Sequence, residues 1–333
     1  MPQISSVLAD PELRAALGAD LDAPPTPRTT HLAAYLARAF GPSTRAIIHY
    51  GSHAQRSDAR PDSAHDFFIV VERYADAYRS LAALAGTSFR PRAAALLNHV
   101  LPPNVIAVTE GDAVPPLHAK CAVLSLDDLR RACSARARDH FTQGRLFQQV
   151  QLVWTSDAAS REAVIDALLE ARVRTFEWGR PYLPATFDAE TYCTTLLDTS
   201  YAAEIRPEGR ERVVALIGAQ RETLVRMYDA LLQHLVAQRI LASHGKVYTD
   251  LRPAGGWPKF RAAMYFRRSK LRATLRWLKY IALYDDWLDY IVLKVARRSG
   301  VTVELTARER RWPLIFLWPK AIRYLRSRPQ RRS

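Results

Sequence analysis

The residues best suited to chemistry lie between two short apolar runs. The run 46–50 predicts a strand, and Gly51 and Ser52 follow it as a turn. A second run, 66–71, predicts a buried strand that begins with Asp66. Gly51 would let the backbone approach a phosphate group, and Ser52 with the following amides could donate hydrogen bonds to its oxygens. A carboxylate on the next strand could hold Mg²⁺. The pattern indicates phosphate chemistry, although an ordinary turn between strands would also fit it.

This arrangement resembles a polymerase-beta-type nucleotidyltransferase. That motif has an apolar residue, Gly-Ser, a spacer of similar length, and Asp-x-Asp opening a strand. Here eleven residues separate Ser52 from Ala64, and the triplet is Ala64-His65-Asp66. One of the usual metal carboxylates is missing, so a non-catalytic, membrane-associated nucleotide-binding protein stays open as an alternative. His53 and His65 would flank the site.

Four blocks together resemble the mitochondrial-type phosphatidate cytidylyltransferase family. These are CDP-diacylglycerol synthases, also known as mitochondrial translocator assembly and maintenance proteins. The blocks are YGSHAQ…SAHDFFIVVE (50–72), AKCAVLSLDDL (119–129), HFTQGRLFQQV (140–150) and TSYAAEIRPEGRERV (199–213). The family also has an apolar residue at the place of Ala64. Gln148-Gln149 stand where the family has Lys-Pro, and Ala203-Glu204 where it has Gly-Asp, so the chain resembles a divergent bacterial-type member.

The resemblance implies a site for a nucleotide and Mg²⁺. Its catalytic residues would be Asp66, Ser52 and Lys120. The nucleotide-binding residues would be Gly51, Ser52, Lys120, Arg145, Tyr201, Glu204 and Arg206. The metal ligands would be Asp66 and Glu72, but Glu72 lies six residues along the same strand, too far for one ion if that strand is straight. Structural roles stay open for Lys120 on the surface, for Arg145 in the interior, and for Tyr201, Glu204 and Arg206 between domains.

The resemblance also implies a reaction. It is the conversion of CTP and phosphatidic acid to CDP-diacylglycerol and pyrophosphate, a Mg²⁺-dependent step of phospholipid biosynthesis. The lipid phosphate would attack the α-phosphorus of CTP. The choice of CTP over other nucleotides follows from the resemblance alone. An RNA-directed nucleotidyltransferase is the alternative enzyme.

The positive charge is concentrated near the C-terminus. The formal net charge is +15, of which 259–279 carries +8 with no acid, and 305–333 carries another +8. The remaining chain is therefore close to neutral, at −1. Met264, Phe266, Leu271, Leu275 and Leu278 lie among the first set of cations, and 312–326 joins two Trp to apolar and basic residues. Both segments predict contact with an anionic membrane surface, and nucleic acid is the less favoured partner. Packing of these apolar residues on the protein itself stays possible.

The length and composition bound the fold. The 333 residues, 48% of them hydrophobic, suit one large or two ordinary domains. We expect an α/β fold followed by a helical part. Residues 1–155 would form a polymerase-beta-like nucleotidyltransferase domain with a mixed sheet, 156–298 a helical domain completing the cleft, and 299–333 a basic membrane-contacting segment.

The expected elements follow from periodicity and turn signals. Helices are expected at 11–18, 30–40, 75–100, 159–172, 188–201, 208–243 and 259–298. Further strands are expected at 104–110, in the block that follows Ala119, at 150–156 and at 301–305, with Ser125 capping a helix. No secretory signal or apolar run of spanning length is visible, and the three cysteines are far apart. We expect a cytoplasmic protein, peripheral on the inner face of the cell membrane.

Overall fold

A computed structural model describes residues 9–55, 63–85, 90–111, 116–202, 210–283, 305–306 and 308–309. Residues Met1–Thr87 and Pro91–Arg276 form one compact unit, and Ser88–Arg90 with Trp277–Ser333 form a second. In the second unit, the described part includes the last residues of a long helix and the residues 305–306 and 308–309. The backbone N–H of Thr306 donates to the Glu309 carboxylate at 2.8 Å.

A five-stranded mixed sheet lies at the centre of the first unit. Its strands are β1 (Thr44–Tyr50), β2 (His65–Val71), β3 (Asn104–Glu110), β4 (Leu117–Ser125) and β5 (Gln151–Thr155). They are arranged in the order β3-β4-β2-β1-β5, and only β2 and β4 run parallel. Long β-branched and aromatic runs form β1 and β2, and both are buried almost throughout. The predicted mixed α/β character and the predicted strands of this sheet are confirmed.

Helices cover the sheet and continue the chain beyond it. They are α1 (Pro11–Gly18), α2 (Pro27–Phe40), α3 (Tyr74–Ala85), α4 (Pro91–Val100), α5 (Leu126–Cys133), α6 (Gln143–Leu146), α7 (Ala158–Val173), α8 (Thr175–Gly179), α9 (Ala189–Ala202), α10 (Arg210–Ala237) and α11 (Gly256–Leu283). Short 3₁₀ turns occupy Gly41–Ser43 and Arg180–Tyr182. The predicted cap is confirmed, because the Ser125 hydroxyl accepts from the backbone N–H of Asp128 at 3.1 Å.

Three predicted helices differ from the structure in their bounds, and the strand predicted over 301–305 lies almost wholly outside the described residues. The helix expected over 75–100 is two helices, and Pro91 opens the second of them. The helix expected over 208–243 ends at Ala237, since an antiparallel hairpin of β7 (Leu241–His244) and β8 (Val247–Asp250) follows, with β6 (Thr186–Phe187) on its edge. Helix α11 begins earlier than expected, and residues 284–298 and 301–304 lie outside the described residues.

Two hydrophobic clusters share helix α7. Val164 and Leu168 pack with sheet residues such as Phe68, whereas Leu169 and Val173 pack with the helical cluster. Packing is therefore continuous across residue 155, where a domain boundary was expected. Among the residues that the structure describes, none of the helices combines the length and apolar character that a bilayer crossing requires.

Candidate active site

Three strands place Tyr50, Asp66 and Lys120 side by side at one end of the sheet. Asp66 pairs with Tyr50 on β1 and with Lys120 on β4. The Lys120 Nζ lies 3.8 Å from the Asp66 Oδ1, and their side chains are 55% and 26% exposed. Because side chains alternate along a strand, Asp66 lies on the sheet face of Phe68, which packs in the sheet core. The carboxylate therefore stands at the rim of that core, with a cation beside it and access to solvent.

The Gly51 turn lies directly against the Asp66 carboxylate. Gly51 has φ +81°, and a Cβ at this position would lie 2.9 Å from the Asp66 Oδ2. The backbone N–H groups of Ala54 and Gln55 both donate to the Gly51 carbonyl at 3.0 Å. Ser52 follows in the same turn and is half-buried. Both the left-handed backbone and the close approach require glycine here.

The electrostatic environment of Asp66 combines burial with nearby positive charge. Burial raises the pKa of the Asp66 carboxyl, while Lys120, Arg145 and His53 act in the opposite direction. The net direction is upward. A bound cation would therefore favour the charged form that burial disfavours.

Arg145 reaches the same side of the sheet from the short helix α6. Its guanidinium lies 4.0 Å from the centre of the Phe141 ring and donates through Nη1 to the Phe141 carbonyl at 2.9 Å. A hydrogen bond links it to Tyr50, and its charge acts on Asp66. Arg145 is thus held in place by contacts of its own and brings a second cation to the predicted site.

Tyr201 belongs to a buried amide network behind the turn. The Gln148 Oε1 accepts from the Gln55 Nε2 and the Gln220 Nε2 at 3.1 Å each, and from the Tyr201 hydroxyl at 3.3 Å. The Gln148 Nε2 donates to the Gly144 carbonyl at 2.7 Å. Gln148 thus connects the Gly51 turn, helix α6 and helices α9 and α10. This role of Gln148 was not predicted from the sequence, where the residue only replaces a lysine of the resembled family.

Two predicted residues cannot be placed, and one is placed elsewhere. Glu204 and Arg206 lie outside the described residues. Glu72 follows the far end of β2, where it pairs with Arg45. At ~3.3 Å per residue it lies roughly 20 Å along the strand from Asp66. The structure therefore does not bring Glu72 to Asp66, and the two carboxylates cannot ligate one ion.

The residues present still fit a magnesium ion that arrives with a nucleotide. Among the described residues, no three His, Cys, Asp or Glu side chains cluster as a metal site. Mg²⁺ commonly binds through one or two carboxylates together with substrate phosphates and water. Asp66, whose carboxylate lies against the Gly51 turn, could supply one such carboxylate.

The predicted flanking histidines form a stack, with His65 facing away from Asp66. The His65 ring stacks on His53 at 3.9 Å and on His49 at 5.3 Å between ring centroids. His65 is buried, and burial lowers its pKa to about 3. A hydrogen bond of 2.8 Å links the His53 Nε2 to the Ser63 hydroxyl. His53 thus joins the turn after β1 to Ser63, which lies just before β2, and His65 is a core residue.

The cysteines are buried, as expected of core residues, and burial raises the pKa of each thiol.

No known family model matches this chain, and no curated protein matches it. The resemblance carried by the four blocks therefore stays a prediction.

Proposed function

We propose that this chain is a Mg²⁺-dependent nucleotidyltransferase that makes CDP-diacylglycerol from CTP and phosphatidic acid. The observation that carries the proposal is the close approach of the Gly51 turn to Asp66, with Lys120 beside the carboxylate. Nucleotidyl transfer needs a backbone turn that phosphate oxygens can approach, next to a carboxylate that can hold a metal ion. The lipid substrate and the nucleobase rest on the resemblance of the four sequence blocks.

The residues have separate roles in this proposal. The Gly51-Ser52 turn holds phosphate oxygens of the nucleotide, and Asp66 holds Mg²⁺, which would neutralise charge on the phosphates. Lys120 and Arg145 neutralise further phosphate charge and orient the reactants. A phosphate oxygen of the lipid forms a bond to the α-phosphorus, the bond to the β-phosphate oxygen breaks, and pyrophosphate leaves. The attacking oxygen is already anionic, so the site needs no strong general base.

Helix α11 supports the membrane part of the proposal. It exposes five large apolar side chains along one face, which repeat at three-, four- or seven-residue spacings: Trp257, Phe260, Met264, Leu271 and Leu275. The opposite face carries Phe266 and Ser269, which are buried against the protein. Phe266 therefore belongs to the core, not to the predicted membrane-contacting set.

The apolar stripe on α11 lies among cations. The stripe extends over about 27 Å at 1.5 Å per residue. Arg267 and Arg268 lie at its edges by helical geometry, and no acidic residue occurs anywhere in the helix. An apolar face bordered only by positive charge suits an anionic lipid surface better than a phosphodiester backbone. We propose that α11 holds the protein peripherally on such a membrane. The second basic segment, 305–333, lies almost wholly outside the described residues.

The activity proposal is tested by product identity. Purified protein is incubated with Mg²⁺ and each of the four nucleoside triphosphates, with either phosphatidic acid vesicles or RNA as acceptor. The expected product is CDP-diacylglycerol, formed from CTP and the lipid. Extension of RNA without any lipid product would refute the proposal and favour the RNA-directed alternative. Nucleotide binding without either product would favour the non-catalytic alternative.

The membrane proposal is tested by a matched pair of surface variants. Leu271 on α11 and Leu96 on α4 are 62% and 65% exposed. Leu271→Gln should weaken flotation of the protein with anionic vesicles, whereas Leu96→Gln should not. Equal effects of the two substitutions would contradict a docking role for α11.

A further inference from the structure

A cleft beside α11 is separate from the Asp66 site. It is lined by Arg131, Arg138 and Arg272, by Thr142, and by apolar residues that include Leu124 and Pro102. The space in the cleft and in front of its mouth is about 360 Å³, open solvent included. Leu124 lies four residues beyond Lys120 on β4, which places it ~13 Å along the strand from the proposed reaction centre.

The two carboxylates in this cleft are already engaged. The Asp139 Oδ2 accepts from Arg272 and Arg276 at 2.7 Å each, and its Oδ1 accepts from the backbone N–H of Phe141 at 3.1 Å. Both cations lower the pKa of Asp139 against the effect of burial. Asp139 is therefore a structural anion that holds α11 to the segment before α6.

Asp128 is engaged in the same way. Its Oδ2 accepts from the Tyr74 hydroxyl at 2.6 Å and from the Ser125 hydroxyl at 3.1 Å. Its Oδ1 accepts from the Arg131 Nη1 at 2.9 Å. Both Asp128 oxygens are thus engaged. The cleft is lined by two carboxylates, Asp128 and Asp139, and by three arginines, so its net charge is positive.

Donors in the cleft remain unused. Within the described residues, Arg138 forms no hydrogen bond or ion pair, and only the Nε of Arg272 and the Nη1 of Arg131 are engaged. Thr142 is 2% exposed, and its hydroxyl has no hydrogen-bond partner within that same set of residues. Three guanidinium groups and the Thr142 hydroxyl, all of which can donate hydrogen bonds, therefore line one cleft. Guanidinium forks match the oxygens of a phosphate group.

We infer that this cleft binds a phosphate group, through Arg138, Arg131, Arg272 and the Thr142 hydroxyl. The phosphate could be carried by a lipid headgroup or be free in solution. Arg272 follows Leu271 of the exposed apolar stripe, which places the cleft next to the face that would meet a membrane. This binding does not depend on the cytidylyltransferase reaction.

The test compares two arginines of the same loop. Arg136 and Arg138 are both exposed, but only Arg138 lines the cleft. The full chain, Arg138→Ala and Arg136→Ala are titrated with inorganic phosphate by calorimetry at constant ionic strength, with chloride as the reference anion. We expect Arg138→Ala to weaken phosphate binding about tenfold, and Arg136→Ala to leave it unchanged. Equal binding by all three proteins, or none by the unaltered chain, would overturn the inference.

Vesicles identify the source of the phosphate. The same proteins are mixed with vesicles of phosphatidylcholine alone or with added phosphatidic acid or phosphatidylglycerol. A loss of phosphatidic acid binding confined to Arg138→Ala supports a lipid headgroup in the cleft. Loss of inorganic phosphate binding with unchanged vesicle binding supports a free phosphate ligand. Thr142→Val should weaken phosphate binding without lowering the thermal unfolding midpoint strongly, since its hydroxyl makes no internal hydrogen bond within the described structure. These binding readouts are independent of CTP turnover, so failure of the proposed function leaves them interpretable.

Discussion

Replacing Gly51 by alanine should lower both the free energy of unfolding, through backbone strain, and the activity, through contact with Asp66; a control variant distinguishes the two effects. Gly51 has φ +81°, a conformation that costs a non-glycine residue about 1–2 kcal/mol. Alanine also restricts the unfolded chain, which offsets about 0.4–1 kcal/mol of that cost. The expected net loss in the free energy of unfolding is therefore about 1 kcal/mol. Gly245→Ala is the matched control, because Gly245 has φ +64° but no atom within 4 Å of a built Cβ.

The two variants should differ sharply in activity. The new Cβ at position 51 would lie 2.9 Å from the Asp66 Oδ2, and ordinary contact begins near 3.4 Å. The Asp66 carboxylate must therefore move by about 0.5 Å. A displacement of ~1 Å in an active site can lower the reaction rate about a hundredfold, so we expect the rate of CDP-diacylglycerol formation to fall on the order of tenfold.

Denaturant unfolding and initial rates are measured on both variants. Similar stability losses with a rate defect confined to Gly51→Ala are expected. Full activity in Gly51→Ala would refute the role assigned to this contact.

Three further predictions concern charge. Lys120→Met removes a cation that lowers the pKa of Asp66, so the pKa of the Asp66 carboxyl should rise. The acid limb of the pH–rate profile should then move to higher pH, and an unmoved limb would contradict the interaction between Lys120 and Asp66. Asp139→Asn leaves the partly buried guanidinium groups of Arg272 and Arg276 without their carboxylate. It should cost about 3 kcal/mol of unfolding free energy, the lower end for a buried pair, and a loss below about 1 kcal/mol in denaturant unfolding would show that the contact is dispensable. Burial lowers the pKa of His65 to about 3 in the folded protein, whereas an unperturbed histidine in the unfolded chain has a pKa of about 6.5. Below about pH 6.5 the unfolded chain therefore binds one proton more than the folded protein, and the free energy of unfolding should fall. A thermal unfolding midpoint that does not change down to about pH 4 would contradict this.

Local sequence patterns predicted the elements that carry the site. Apolar runs bounded by turn residues located β1 and β2, and Gly51 was assigned to a turn that approaches a ligand. The alternation of side chains along β2 also places His65 on the sheet face opposite Asp66, a signal in the sequence that separates the two residues. The same alternation predicts Glu72 on the sheet face of Asp66, but the two carboxylates lie at opposite ends of β2 and are therefore far apart.

The remaining features depend on contacts between distant parts of the chain. Gln148 accepts hydrogen bonds from side chains 93 and 72 residues away, and no local pattern encodes that arrangement. For α11, periodicity showed an amphipathic helix but could not say which face is buried. The buried face is fixed by two sets of hydrogen bonds. Ser269 accepts from the backbone N–H of His140 at 3.0 Å, and Arg272 and Arg276 donate to the Asp139 carboxylate. The phosphate cleft depends on these same contacts.

The most direct measurement of the central claim is the rate of CDP-diacylglycerol formation by Asp66→Asn. Asp127→Asn is the control, because the Asp127 side chain is 86% exposed and lies in α5, away from the Gly51 turn. Both variants and the unaltered chain are assayed with labelled CTP, phosphatidic acid vesicles and increasing Mg²⁺. We expect Mg²⁺-dependent product from the unaltered chain and from Asp127→Asn, and a loss of at least a hundredfold, about 2.7 kcal/mol, in Asp66→Asn. Equal rates for the two variants, or no lipid product from the unaltered chain, would contradict this expectation.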